Sequence, residues 1–265
     1  MENKKIAIIG CGNLGLSIVK GLLANENINP SNITVTKRNI ETISYLKDSG
    51  VNVTANNSEA IRNSEIIILA LKPYTILDIL GELKGDFDVN KHVLVSLATG
   101  VSIEQLQGKI DSDLPIYRAM PNTAADVSES ITCLCSNSTN NEQTQEVKQI
   151  FDLIGSTIII NESLMDSATV LGACGIAFVL RFIRAMVQGG IQIGFDSKTA
   201  SEIVNQVVKG AAELLIERGN HPEHEIDKVT TPKGCTIKGL NEMEHNGFSS
   251  ALIKGIVSSF DEIEK

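Results

Sequence analysis

The chain has 265 residues, 42% of them hydrophobic, and a formal charge of −9; that length suits two domains with sizeable cores. An acidic balance, with a pI of about 5.0, argues against phosphate-backbone binding as a main role. With no Trp and only 4% aromatic residues, a stacking platform for single-stranded nucleic acid is also not expected.

Lys4–Ile9 is an apolar run that feeds into Gly10-Cys11-Gly12-Asn13-Leu14-Gly15 and then into a helical pattern over Leu16–Ala24. This is G-x-G-x-x-G between a strand and a helix, the context that gives the motif meaning. Gly10 permits the tight turn, Gly12 lets the backbone approach a pyrophosphate, and Gly15 allows helix to pack on strand. The helix that follows points its first N–H groups, those of Asn13 and Leu14 included, at the phosphates. The unliganded alternative is a glycine-rich turn.

A second strand, Ile33–Thr36, ends in Lys37-Arg38-Asn39. An NAD site places Asp or Glu about 20 residues past the glycines to hold the ribose 2′-hydroxyl. Cations stand there instead: Lys37 and Arg38 can pair with a 2′-phosphate, Arg38 bidentately, the alternative being a solvated basic turn. The cofactor expected is NADP(H), with NAD(H) left open. A helix over Ile40–Asp48 ends at Gly50, a short strand covers Val51–Thr54, and Ser58 is read as the cap of a brief helix to Arg62. Glu65–Leu71 is near-continuously apolar, the mark of a central parallel strand buried on both faces. It ends at Lys72-Pro73, so Ala70, Leu71, Lys72 and Pro73 are expected beside the cofactor, beyond the strand's carboxyl end. Thr75–Leu83 is helical. His92–Leu97 is the fifth strand and runs into Ala98-Thr99-Gly100. Ser102 and Gln105 make a capping box. Strands follow at Ile116–Met120, Ser130–Cys135 and Thr157–Ile160, with a helix over Asn141–Ile154. Strands alternating with helices mean a doubly wound α/β domain.

After Asn161 the strand patterns stop. Leu164 to about Gly194 is strongly apolar, and with Arg181, Arg184 and several glycines it makes a poor membrane span. It must be buried in a core or against a second subunit, which predicts an obligate oligomer; a self-contained bundle is the alternative. Ser197 is read as the cap of a helix whose stripe is Ala200, Ile203, Val204, Val207, Val208, Ala211 and Leu215, closed by Gly219. His221-Pro222-Glu223-His224 reads as a solvated helix start and not as a metal site. Thr230–Thr236, opening a helix at Ile237, has the form of an anion nest suited to a carboxylate, with an ordinary capped turn as the equal alternative on pattern alone. Ser249–Ile263 is the last helix. The cysteines, Cys11, Cys133, Cys135, Cys174 and Cys235, are odd in number and form no C-x-x-C. They read as buried thiols in a reducing compartment, with no disulfide framework or zinc site. Only three residues precede Lys4, so no leader peptide is expected, and the location expected is cytoplasmic.

The motifs together resemble the pyrroline-5-carboxylate reductase family nearly end to end. They are Gly10–Gly15, Ala70–Pro73, Ser96–Ile103, Arg118–Thr123, and His221-Pro222 followed by Val229–Ile237. The resemblance implies an N-terminal Rossmann-type domain over 1–161 that binds NADP. It also implies an all-α C-terminal domain over 162–265 for dimerisation and substrate binding, in homodimers that often build further into decamers. The function implied is NAD(P)H-dependent reduction of 1-pyrroline-5-carboxylate to L-proline, the last step of proline biosynthesis. Asn57, Lys72, Pro73, Ser96, Ala98 and Asn122 would line the cofactor. Lys233, Gly234, Cys235 and Thr236 would hold the substrate carboxylate, largely through backbone N–H groups, and the Thr236 hydroxyl, the catalytic assignment, would reach the ring nitrogen. The active site would span two subunits. Two departures stand out. The family reads S-G-S-G-P-A-Y where this chain has Leu171-Gly172-Ala173-Cys174-Gly175-Ile176-Ala177-Phe178, and P-G-G-[AT]-T where it has Pro232-Lys233-Gly234-Cys235-Thr236. A lysine in place of a glycine restricts the backbone unless its φ is negative. Two other readings stay open: an oxidoreductase for another cyclic imine or a hydroxy acid, and a non-catalytic dinucleotide-binding regulator.

Overall fold

A computed structural model describes residues 4–110 and 113–263. The first half alternates β1 (Ile6–Ile9), α1 (Asn13–Leu23), β2 (Ile33–Thr36), β3 (Asn52–Thr54), α2 (Asn57–Arg62), β4 (Ile66–Leu69), α3 (Pro73–Leu83), β5 (Val93–Ser96) and α4 (Ile103–Ile110). It continues through β6 (Ile116–Met120), β7 (Ser130–Ser136), α5 (Asn141–Asp152) and β8 (Gly155–Ile159). These strands form one eight-stranded sheet in the order β3-β2-β1-β4-β5-β6-β7-β8. Every pair is parallel except β6 with β7. β4 lies between β1 and β5 with all four residues buried, as its apolar run predicts.

Alternation along the strands divides the core in two. Ile6, Ile8, Ile66, Ile68, Val93 and Val95 pack with α1 and α5 on one face. Ala7, Ile9, Ile67, Leu69 and Leu94 pack with α2, α3 and α4 on the other. A period of two on strands, met by apolar helix stripes on both sides, is the doubly wound arrangement. Gly155, at φ 144°, opens β8 where a side chain would strike the Ser130 backbone: a Cβ there would lie 1.9 Å from its carbonyl oxygen.

Three local expectations are corrected. Ile40–Ser49 is 3₁₀ and not α-helical. The Thr42 and Ser44 hydroxyls donate to the carbonyls of Asn39 and Glu41, and these local bonds tighten the turn. The cap of α2 is Asn56, whose Oδ1 accepts from the Glu59 N–H at 3.1 Å; Ser58 lies inside the helix. The cap of the helix after Gly194 is Asp196, which accepts from Lys198 and Thr199 N–H, one residue before Ser197.

The chain divides into two compact units, one carrying Met1–Ile176 and Glu262–Lys265 and the other Ala177–Asp261. The helical region comprises α6 (Met165–Ala168), α7 (Gly175–Gln192), α8 (Ser197–Arg218), α9 (Pro222–Val229), α10 (Cys235–His245) and α11 (Phe248–Ile263). Between α6 and α7 the helix loosens into a π turn, Thr169–Cys174. The Asn122 side chain donates to the carbonyl of Gly172 at 3.0 Å there. This widened turn, which periodicity does not reveal, falls on the stretch that departs from the family pattern.

Glu162–Gln192 is long and apolar enough to cross a bilayer by length and composition, yet only 11% of its most apolar window is buried within the chain. That low burial speaks against the alternative of a self-contained bundle. On α8 the stripe is also open: Ala200 and Val204 are buried, while Ile203 and Val207 are about half exposed. An exposed apolar surface of this extent marks an interaction surface.

Candidate functional site

The registers of the sheet bring the candidate residues to one edge. Ile9 pairs with Thr36 and with Leu69, and Leu69 pairs with Ser96. The loops that follow these residues, Gly10–Gly12, Lys37-Arg38, Ala70–Lys72 and Leu97–Ser102, therefore leave the sheet in a row. Strand order reverses between β1 and β4, and that crevice is where ligands lie in open parallel sheets. A cleft of about 540 Å³ lies elsewhere, lined by Lys5 and Ser31 among others, near the amino ends of β1 and β2.

The three glycines of the first turn meet different surroundings. Gly10 has φ 86°, and a Cβ there would run into Leu71. Gly15 packs closely, with Ala70 and Ile8 at 3.3 and 3.4 Å from the place of its missing Cβ. At Gly12 the nearest atom is 3.9 Å away, so no protein contact demands glycine there. Open space over that backbone suits a bulky ligand group. The Cys11 N–H donates to the Thr36 carbonyl at 2.7 Å, and the Gly10 N–H to Thr36 Oγ1 at 3.2 Å. Thr36 is thus a residue that motif reading overlooked; a hydroxyl at the last buried position of β2 is the signal.

Helix ends sort the site further. Asn56, Asn140, Asp196 and His221 each cap a helix with a side-chain acceptor. α1, α3 and α10 have no such cap. In α1 the first turn carries no acidic residue, and the Leu16 N–H, on the Gly12 carbonyl at 2.8 Å, is the first to find a helical acceptor. The preceding N–H groups of Asn13, Leu14 and Gly15 point out of the helix end, where the positive end of the dipole favours an anion.

Lys37 is half-buried and Arg38 exposed, and neither has an ion pair or hydrogen bond among the described residues. Burial pushes the Cys11 thiol up to about 11, with the Lys37 ammonium pulling the other way. Cys11 is therefore a neutral thiol at physiological pH and not a nucleophile. The expectation that all five cysteines are buried is corrected: Cys11, Cys133 and Cys135 are, but Cys174 is half-buried and Cys235, at the start of α10, is exposed. Lys72 and Pro73 are exposed at the start of α3, Asn57 is half-buried in the first turn of α2, and Ala98 is buried just past β5. Ser96 is buried, and its hydroxyl accepts from the Ala98 N–H at 3.3 Å. Asn122 is buried with both side-chain ends engaged: Oδ1 accepts from Ala124 N–H and Nδ2 donates to Gly172. It has an internal architectural duty whatever else it does.

In the helical unit, Lys233 stands at φ 62° and Gly234 precedes α10. The conformation is left-handed, the one a lysine tolerates poorly. The Gly234 N–H donates to the Thr231 carbonyl at 2.9 Å, and a Cβ on Gly234 would come within 2.5 Å of Thr231 Oγ1. The free N–H groups of this nest are therefore those further into α10, beginning with Cys235 and Thr236. A cleft of about 470 Å³ within this unit is lined by Glu223, Asp227 and Glu244 beside Ile226, Ile237 and Phe248. Its acidic rim would repel a carboxylate, which leaves the nest as the better place for one. His221 accepts from the Glu223 N–H as a helix cap. Among the described residues no group of three or more His, Cys, Asp or Glu could hold a metal ion.

A family model for pyrroline-5-carboxylate reductase dimerisation matches residues 162–265. A second, for NADP oxidoreductase, coenzyme F420-dependent, matches residues 5–100. The chain is 46% identical over 269 residues to pyrroline-5-carboxylate reductase 1 of Dictyostelium discoideum; the alignment covers 97% of this chain and about half, 49%, of that protein. It is 40% identical to pyrroline-5-carboxylate reductase 2 of the same organism, covering 100% of this chain and 93% of that one. Against the Escherichia coli pyrroline-5-carboxylate reductase it is 32% identical, covering 99% and 98%. Among solved structures, the Plasmodium falciparum pyrroline carboxylate reductase with NADP bound superposes with a TM-score of 0.88 at 27% identity, covering 99% and 98% of the two chains. The Streptococcus pyogenes 1-pyrroline-5-carboxylate reductase gives 0.87 at 28%, covering 99% of each.

Proposed function

The chain belongs to the pyrroline-5-carboxylate reductase family, and from that premise we propose that it reduces 1-pyrroline-5-carboxylate to L-proline with NADPH, as the last step of proline biosynthesis. What supports this most is the start of α1, which has no side-chain cap and no acidic residue in its first turn, beside Gly12, where the nearest atom to the place of a Cβ is 3.9 Å away.

The residues present fit NADP(H). Gly12 leaves room for the pyrophosphate, the α1 N–H groups meet its charge, and Lys37 with Arg38 meets the 2′-phosphate. Asn57, Ala70, Leu71, Lys72, Pro73, Ser96, Ala98 and Asn122 complete this cofactor edge. When bound, the nicotinamide supplies the hydride. The chain's own work is to hold and orient. Lys233, Cys235 and Thr236 bind the substrate carboxylate, and Gly234 keeps the turn tight enough for them to do so. The Thr236 hydroxyl holds the ring nitrogen in hydrogen-bond reach and so keeps its proton in place. Residues 1–161 form the NADP-binding domain and 162–265 the dimerisation and substrate domain. The dimers assemble further into decamers, the protein is soluble and cytoplasmic, and neither nucleic acid nor membrane is a partner.

Purified protein, NADPH and pyrroline-5-carboxylate test the reading. Absence of cofactor oxidation at high enzyme concentration would remove it. Thr236→Ala is expected to lower kcat by about 10²-fold, in the range of a lost positioned proton group, while NADPH affinity stays within about twofold. Loss of NADPH affinity instead would show that Thr236 is misplaced. Lys233 and Ala173, which depart from the family pattern, give a second substrate, another cyclic imine carboxylate, a specific footing. A panel of such imines beside pyrroline-5-carboxylate decides between them.

A further inference from the structure

One buried cation lies in the sheet outside the candidate site. Arg118 is in β6, its side chain 5% exposed, in register with Ser96 on β5 and with Cys135 on β7. Its Nη1 donates to Glu162 Oε1 at 3.1 Å, and its Nη2 lies 3.6 Å from Asp166 Oδ1, beyond hydrogen-bond distance. Among the described residues Nε and Nη2 have no hydrogen-bond partner, and Glu162 supplies the one charge-assisted hydrogen bond this guanidinium makes there. The surroundings are dry enough that burial pushes the Cys135 thiol up to about 11, Arg118 pulling it down and Glu162 pushing it up.

The same oxygen, Glu162 Oε1, also accepts from the Ile103 N–H at 2.7 Å. Ile103 is the first residue of α4. The next orphan donors of that helix are closed by the reciprocal capping box, Gln105 N–H to Ser102 Oγ at 3.1 Å and Ser102 N–H to Gln105 Oε1 at 2.8 Å. α4 therefore differs from α1, α3 and α10: its amino end is already filled, with a carboxylate at the positive end of its dipole. Between β5 and α4 runs the loop Leu97–Ser102. It is anchored on one side by the sheet and on the other by a helix start that Glu162 holds to β6.

We propose that Glu162 is a positioning residue for this loop, acting through Arg118 and the Ile103 N–H to set where the Ala98–Gly100 backbone meets the nicotinamide half of the cofactor. The proposal rests on the NADP(H) reading of the β5 edge. Removing the carboxylate leaves a buried guanidinium without its bond and a helix N–H without an acceptor, and both are costly enough to move the loop.

The test compares Glu162→Ala and Glu162→Gln with the wild-type protein. The glutamine keeps an oxygen for both donors; alanine removes it. NADPH affinity is read by fluorescence of the bound dinucleotide without any imine present, followed by steady-state kinetics. Glu162→Ala is expected to raise the NADPH Kd and KM about tenfold, with the KM for the imine carboxylate unchanged, and Glu162→Gln to recover to within about threefold of wild type. Unchanged NADPH affinity in Glu162→Ala, even with a lowered melting temperature, overturns the proposal. So does an equal rise in both KM values, which marks general damage. Where Glu162→Ala does not fold, Glu162→Asp, one methylene short, is judged by the same NADPH Kd. Because the binding measurement needs no imine, wild-type protein that binds NADPH but reduces no pyrroline carboxylate would defeat the reaction proposed above and still decide the role of Glu162.

Discussion

The two units of the chain use similar apolar content in opposite ways. In the N-terminal unit, both faces of the sheet are covered by the chain's own helices, and residues such as Ile8, Ile68 and Phe151 are fully buried. In the helical unit the fully assembled core is Val187, Ala200 and Val204, while Leu180, Ile253 and Val257 are more than half exposed. The first unit covers most of its own sheet, with Ile158 and Ile159 of β8 about half exposed, while the helical unit leaves most of its apolar side chains open. The match of residues 162–265 to a dimerisation family accounts for that open half. A pair of substitutions breaks the comparison if it is wrong. Ile68→Ala, in β4, is expected to destabilise the chain by about 2–5 kcal/mol, since three buried side-chain carbons and their contacts go. Ile253→Asp should leave the denaturant unfolding of the N-terminal unit within about 0.5 kcal/mol but convert the oligomer to monomers by light scattering. An Ile253→Asp protein that stays oligomeric would show that α11 is not part of the interface.

The same contrast explains what could be read from the chain alone. β2 and β6 lie where the pattern puts them, because a strand packed inside its own unit carries its full burial pattern in sequence. The helical stripe of α8 has equally clear periodicity, yet periodicity only says which residues share a face and not what covers it. Caps were misplaced at Ser58 and Ser197 because Asn56 and Asp196 offer better side-chain acceptors one or two residues earlier. The Ser102–Gln105 box was legible because both partners are local. Glu162 was not, since its bonds reach Ile103 and Arg118 across long stretches of chain. The lone arginine in a strand of buried residues was the available hint. The π turn at Thr169–Cys174 has no periodic signature at all.

What each unit leaves without a protein partner also differs. The N-terminal unit leaves charge and N–H groups at its sheet edge, among them Lys37 and Arg38. Arg38→Ala sharpens this difference. A hydrogen-bonded ionic contact contributes about 1.5–3 kcal/mol, so the KM for NADPH should rise about 10- to 100-fold, with that for NADH unchanged. Equal losses for both cofactors would mean that Arg38 does not read the 2′-phosphate and that its exposure is that of an ordinary surface residue.

The smallest effect concerns the one place where the helical unit also holds charge at strained backbone. Lys233, at φ 62°, occupies a conformation that costs a non-glycine residue on the order of 1 kcal/mol. Lys233→Gly and Lys233→Ala both remove the ammonium, but only glycine accepts the left-handed turn freely. The KM for pyrroline-5-carboxylate should rise about equally in both, because the carboxylate loses the same cation. Stability should separate them, with the glycine variant more stable than the alanine variant by about 1 kcal/mol. Equal stability would mean that the turn relaxes when the side chain is cut. An unchanged KM would mean that the lysine does not face the carboxylate, leaving the Cys235 and Thr236 N–H groups to hold it without help from a side-chain charge.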